Sequence, residues 1–153
     1  NHYLCEEVEA KFTARELIAA FATGKEEFEG VGELEAYRQL SDYLLRMHGR
    51  GILFRDLSGG NILIDKGTDG SLSFSLIDTG RIRVFQGALS LRQRFADLVR
   101  ICNKLHREGR KRFLGIYLAA LRRRLRCWHF LPFMVYDFKV AAKRRVGRKA
   151  WKR

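Results

Sequence analysis

Phe54-Arg55-Asp56-Leu57-Ser58-Gly59-Gly60-Asn61-Ile62-Leu63-Ile64-Asp65, followed after a short turn by Phe74-Ser75-Leu76-Ile77-Asp78-Thr79-Gly80, is the stretch from which the fold is read. Two apolar runs, Ile62 to Ile64 and Leu72 to Ile77, flank Lys66-Gly67-Thr68-Asp69-Gly70, whose glycines and aspartate are turn formers. The pattern predicts a β-hairpin. Asp56, Asn61 and Asp78 bracket it, so pairing of the strands draws them to one end. An Asp, an Asn and a second Asp supply the oxygen ligands that a hard cation such as Mg²⁺ takes, and one carboxylate remains to handle a proton. Such a set suits phosphoryl transfer.

Arg55-Asp56-Leu57, with Asn61 four residues after Leu57, resembles the catalytic loop of protein kinases, and Asp78-Thr79-Gly80 resembles their metal-binding Asp-Phe-Gly. Within that superfamily, Arg55 to Leu63 followed by Ile77 to Arg81 looks most like the bacterial lipopolysaccharide core kinases, which phosphorylate heptose or Kdo sugars. The motif-bearing likeness runs from Tyr3 to Leu105. Phe54 stands where kinases usually carry His or Tyr, and Thr79 replaces the Phe of the metal motif. Neither change removes a group that touches phosphate. The resemblance implies that Asp56 orients the acceptor hydroxyl and takes its proton. It implies that Asn61 and Asp78 hold Mg²⁺ against the phosphates of ATP, with Ser58 and Asn61 beside the nucleotide. It also implies an inter-lobe hinge at the start of the chain, where the main chain of Glu6, Glu7 and Val8 meets adenine. From the residues alone, that last stretch reads equally as an edge strand with an acidic exit.

The chain of 153 residues, 46% hydrophobic and 31% charged, is long enough for one domain with a real core. No apolar run approaches the ~20 residues that span a bilayer. There is no initiator Met, and the chain opens inside an apparent strand, His2 to Cys5, so a fragment of a longer protein is expected. Cys5, Cys102 and Cys127 lack Cys-x-x-Cys spacing, which argues against zinc or a disulfide framework and for a reducing cytosol. The charge is lopsided: residues 1–80 have a balance of −6 and residues 81–153 a balance of +19. A polyanionic partner on the C-terminal side is implied, and nucleic acid, an anionic membrane and a phosphorylated glycolipid all qualify.

Thr13-Ala14-Arg15-Glu16 is a capping box that opens a short helix, with Gly24 as its stop. Leu34, Tyr37, Leu40, Leu44 and Met47 recur at helical spacing, with Gly49 as the stop and His48 as a helix-end hydrogen-bonding residue. Arg81 to Phe85 alternates like a strand, and only about ten residues separate Asp78 from the next helix. That segment is too short for the activation segment of a protein kinase and has no Ala-Pro-Glu, so a sugar or small-molecule acceptor fits better than a protein. Leu91, Phe95, Leu98, Cys102 and Leu105 predict a helix closed by His106 and Arg107, within which Asp97 has a structural task. A basic helix is expected over Arg110 to Cys127, then aromatic residues around Pro132, then a helix from Asp137 to about Val146. Interleaved basic and aromatic residues there suit a membrane interface, although the aromatics would serve equally as core.

The expected fold is α+β: a mostly helical, protein-kinase-like C-terminal lobe in which a small β-hairpin carries the catalytic and metal-binding loops. Its parts are a hinge-like strand and linker (1–10), helices (11–50), the catalytic and metal-binding segment (51–85) and a basic helical region (90–153). No Gly-rich phosphate loop or strand lysine precedes them; Gly30-Val31-Gly32 is too short to serve, so the N-terminal lobe is expected outside this chain. The resemblance implies an ATP- and Mg²⁺-dependent kinase of a lipid-linked sugar, cytoplasmic and peripheral to the inner face of the cytoplasmic membrane. The alternative is a non-catalytic kinase-like module that binds an anionic membrane or nucleic acid through its basic half.

Overall fold

Thr13 ends a two-residue strand, β1 (Phe12–Thr13), and its hydroxyl and the Glu16 carboxylate exchange hydrogen bonds with each other's backbone amides, closing the capping box that starts helix α1 (Ala14–Ala22). The helix stops at Gly24, whose φ of +86° lets the amides of Gly24 and Lys25 turn back onto Phe21 and Ala20. A small ribbon follows, β2 (Glu27–Phe28) against β3 (Val31–Gly32). Helix α2 (Glu33–Gly49) then buries Tyr37, Leu40, Leu44 and Met47 as the helical spacing requires. Leu34 is the exception at 65% exposed. The left-handed residue that ends α2 is Gly51 (φ +78°) and not Gly49, which is the last helical residue. The structure is a computed structural model describing residues 10–150, with 145–150 as backbone only.

Strand β4 (Ile52–Leu53) leads into the catalytic-loop stretch, and the predicted hairpin is formed by β5 (Ile62–Lys66) and β6 (Leu72–Leu76). Its register runs from Ile62 opposite Leu76 to Lys66 opposite Leu72. β1 adds to the outer side of β5, giving the order β1-β5-β6. The strand expected over Arg81 to Phe85 shrinks to β7 (Arg83–Val84), which pairs back onto β4, because Thr79–Arg81 is a 3-10 turn.

Three helices complete the chain. α3 (Leu91–Cys102) begins with a Ser90/Gln93 capping box and ends before Leu105. His106 does not close it; the ring accepts the Gly109 amide and caps α4 (Arg107–Ala120). α4 does not reach Cys127. It stops in a left-handed turn at Arg122 (φ +54°), with the amides of Arg122 and Arg123 returning to Ala119 and Leu118. α5 (Leu131–Ala150) starts six residues before the expected Asp137, since Pro132 sits in its first turn, where a missing amide hydrogen has no helical partner to lose. The core lies where α2 crosses α4: Phe21, Tyr37 and Phe113 stack edge to face, with centroids 5.7 and 6.0 Å apart. Among the described residues no helix is long and apolar enough to cross a membrane.

Candidate active site

The catalytic-loop stretch is held from behind by a buried polar chain. Phe54 is fully buried, and Arg55 takes a left-handed conformation (φ +66°) that costs a non-glycine residue about 1–2 kcal/mol. Asp97 of α3 holds it there: its carboxylate accepts the backbone amides of Phe54 at 2.8 Å and Arg55 at 2.7 Å. His48 Nε2 lies 3.3 Å from the same carboxylate, and His48 Nδ1 lies 2.6 Å from the Tyr117 hydroxyl. That hydroxyl also accepts from Arg94 at 3.2 Å, which leaves its own proton available to donate to Nδ1 and joins the four side chains into one chain. Burial pushes the Tyr117 phenol up to about 12, which keeps its proton in place for that donation. Every link is at the interior of the lobe. Asp97 and His48 therefore have the supporting tasks expected of them, while Arg94 and Tyr117 were not legible as partners.

Asp56 is the group this backing presents. Its side chain is 18% exposed, and its two carboxylate oxygens face Arg100 at 2.5 Å and Arg81 at 3.4 Å. Its carbonyl accepts the Ser58 amide at 2.7 Å and the Asn61 side-chain amide at 3.0 Å. Asn61 thereby uses its nitrogen inside the loop, and its amide oxygen has no hydrogen-bond partner among the described residues. The Asn61 carbonyl accepts the Ile77 amide at 3.1 Å, which extends the hairpin pairing one step and sets Asp78 at its mouth. Asp78 is exposed, left-handed (φ +56°), and without a hydrogen bond or ion pair among the described residues. The hairpin thus places Asn61 and Asp78 at one end, as the sequence requires, and Asn61 bonds to Asp56.

The remaining expected site residues fare differently. Ser58 starts the 3-10 turn Gly59–Asn61 through its backbone, and its hydroxyl makes no cap bond. Gly59 and Gly60 are not left-handed; they are side-chain-free because α1 passes over them. A Cβ on Gly59 would meet the Arg15 amide nitrogen at 2.9 Å, and one on Gly60 the Arg15 guanidinium at 2.5 Å. The backbone of this turn is packed closely against Arg15. Glu6, Glu7 and Val8 lie outside the described residues. Arg55 is exposed and forms no ion pair among the described residues. Arg81 and Arg100 were missed as partners of Asp56. Arg100 was findable, being three residues after Asp97 and so on the same face of α3.

Mg²⁺ and ATP are implied by the resemblance, and the donor set can be tested against them. Among the described residues no three His, Cys, Asp or Glu gather as a metal cage. An Asn and an Asp that the hairpin brings to the same end, neither using its side-chain oxygens among the described residues, are instead the sparse, oxygen-only set of an ion that keeps waters and phosphate oxygens as its other ligands. The residues present fit Mg²⁺. Two cavities, of about 700 Å³ between α4 and α5 and about 470 Å³ beside Gly30 and the hairpin tip, lie away from this open ledge.

The elements and the ledge together are those of an α+β, protein-kinase-like C-terminal lobe. A solved structure of WaaP in complex with acyl carrier protein is similar, with a TM-score of 0.58 and 22% identity over 88% of this chain. The chain spans 58% of that neighbour's length, and at this identity the likeness is one of fold. No protein-family model and no curated protein matches the sequence.

Proposed function

We propose that this chain is the catalytic-loop lobe of an ATP- and Mg²⁺-dependent phosphotransferase acting on a hydroxyl of a lipid-linked sugar, working at the inner face of the cytoplasmic membrane. The observation that carries the reading is the hairpin register: it sets Asp78 beside Asn61, whose amide is bonded to the carbonyl of Asp56. The similar fold of the solved WaaP structure supports the kinase-like lobe, and the lipid-linked sugar acceptor rests on the sequence resemblance.

In this reading Asp56 receives the acceptor proton as the hydroxyl oxygen bonds to the γ-phosphorus, while the bridging bond breaks and its electron pair leaves with ADP. Arg100 occupies one oxygen of Asp56, and the other, more loosely met by Arg81, retains lone pairs for the hydroxyl. Asn61 and Asp78 would hold Mg²⁺, which supplies charge neutralisation at the phosphates. A sugar acceptor is favoured over a peptide because the segment after Asp78 folds back on the lobe: β7 pairs with β4, and the Phe85 and Leu89 amides bond to Gly51 and His48. No extended platform is left for a peptide.

The second reading, a non-catalytic module, draws on the ion pairs that already engage both oxygens of Asp56. Transfer from labelled ATP to a deacylated lipopolysaccharide-core oligosaccharide by the full-length protein decides between them. The wild type should transfer only with Mg²⁺ present, and Asp56→Asn should lose ~10²–10⁴-fold of the rate. Unchanged turnover in that variant removes Asp56 from the mechanism.

A further inference from the structure

Among the described side chains, helix α5 is fastened to the lobe by one face. Phe133, 1% exposed, stacks against Phe95 with centroids 5.5 Å apart, and Asp137 is held by Asn103 and Arg110, both at 2.6 Å. The opposite face carries Leu131, Met134, Val135 and Phe138 at i, i+3, i+4 and i+7, exposed by 60, 63, 46 and 76%. Trp128, in the turn that leads into the helix, adds to the same end and is 56% exposed. Single exposed apolar side chains are ordinary, but a continuous stripe along one helix marks an interaction surface.

The charge around the stripe selects its occupant. Lys139 and Lys143 run one turn apart along its edge, both exposed, and Arg122, Arg123 and Arg124 are exposed just before it. Met134 also borders the cavity between α4 and α5, whose rim carries the exposed Arg107 and Lys111. Residues 81–153 hold a balance of +19. An anionic bilayer surface offers in one object an apolar depth for the stripe and phosphates for its cationic margin; nucleic acid offers only the second.

We propose that α5 lies in the plane of an anionic membrane leaflet, with Leu131, Met134, Val135 and Phe138 dipped into the acyl boundary. Trp128 sits at headgroup level, and Lys139, Lys143, Arg107 and Lys111 meet lipid phosphates. This deepens the lipid-linked acceptor reading and rests on it for the choice of membrane.

The test is sedimentation of the full-length protein with vesicles of phosphatidylglycerol and phosphatidylcholine in equal parts, or of phosphatidylcholine alone. The wild type should bind the first and not the second. Phe138→Asp should weaken binding by at least about tenfold. Lys139→Gln with Lys143→Gln should weaken it by about 25-fold, each lysine being worth about a factor of five. Both changes fall on exposed positions, so Tm and transfer to a water-soluble acceptor should be unchanged. Equal binding to both vesicle types, or full binding by Phe138→Asp, overturns the proposal. So does a lipid-free dimer dispersed by Phe138→Asp, or an acyl carrier protein that takes the stripe while vesicles do not. Vesicle binding that depends on Phe138 in a protein with no transfer activity sinks the phosphotransfer reading and leaves this one standing.

Discussion

Arg100 holds a carboxylate oxygen of Asp56 at 2.5 Å, and it does so from the same helix whose Asp97 holds the backbone just ahead of that aspartate. One turn of α3 therefore sets both the path of the loop over residues 54–61 and the aim of its aspartate. The loop's own neighbours support it through the Asp56 carbonyl, which accepts the Ser58 and Asn61 amides, while Gly59 and Gly60 add no side chain.

Removing Arg100 should expose what that contact contributes. A charge-assisted hydrogen bond is worth about 1.5–3 kcal/mol, or roughly 10–100-fold in rate if it counts in the transition state. Arg100→Gln should lower kcat by that factor with little change in KM for ATP, and Arg100→Lys should recover part of it. If steady-state kinetics give a wild-type kcat for Arg100→Gln, the ion pair is only a surface contact.

Asp97 is a positioning residue, and its loss should read out in stability first. Asp97→Asn leaves one carbonyl for two backbone amides, that of Phe54 buried, and turns an NH₂ toward the other. An unsatisfied buried group costs about 1–3 kcal/mol, and freeing the left-handed Arg55 adds to the disturbance. At roughly 2–4 °C per kcal/mol for a chain of this size, Tm should fall by several degrees. Differential scanning calorimetry checks it; an unchanged Tm means that the loop is held elsewhere.

Asp78 is separable from Asp56 because its side chain makes no hydrogen bond or ion pair among the described residues. Asp78→Asn keeps an oxygen and loses a charge, so it should leave the apo Tm unaltered. It should also raise the Mg²⁺ concentration at which ATP stabilises the full-length protein. Chelation by EDTA should abolish the wild-type shift. A titration in which both proteins respond to Mg²⁺ alike takes Asp78 out of the metal site.

What was legible in the sequence follows what is local. The hairpin, the Thr13 capping box and the Gly24 stop depend on neighbouring residues, and all form where the pattern puts them. The basic C-terminal half was misread because its helix boundaries rest on unusual caps. Arg122 takes the left-handed position that glycine usually fills, His106 caps with a ring nitrogen, and Pro132 lies inside the first turn of a helix that the sequence began only at Asp137. The polar chain Arg94–Tyr117–His48–Asp97 joins three helices and has no spacing signature at all. Its members became partners only once α2, α3 and α4 packed.

His129 offers a pH-dependent test of the way α5 is attached. Its ring is buried at 2% exposure, stacked edge-on to Phe95 at 5.6 Å, and its Nδ1 accepts the Arg126 amide at 2.9 Å. Burial is the main reason that its pKa falls below the usual 6.5, and the positive Arg126 and Arg123 push the same way. A lowered histidine pKa means that the unfolded chain binds the proton more readily than the folded one. The stabilisation is therefore complete above 6.5 and is lost as pH falls through the folded value. Acidification should open the Cys127–Phe130 turn before the core of α2 and α4, seen as faster amide exchange there. His129→Gln, which can still accept the Arg126 amide but cannot ionise, should flatten the loss of Tm on the acid side. An identical acid-side slope in both proteins would show that the turn's stability does not depend on the protonation of His129.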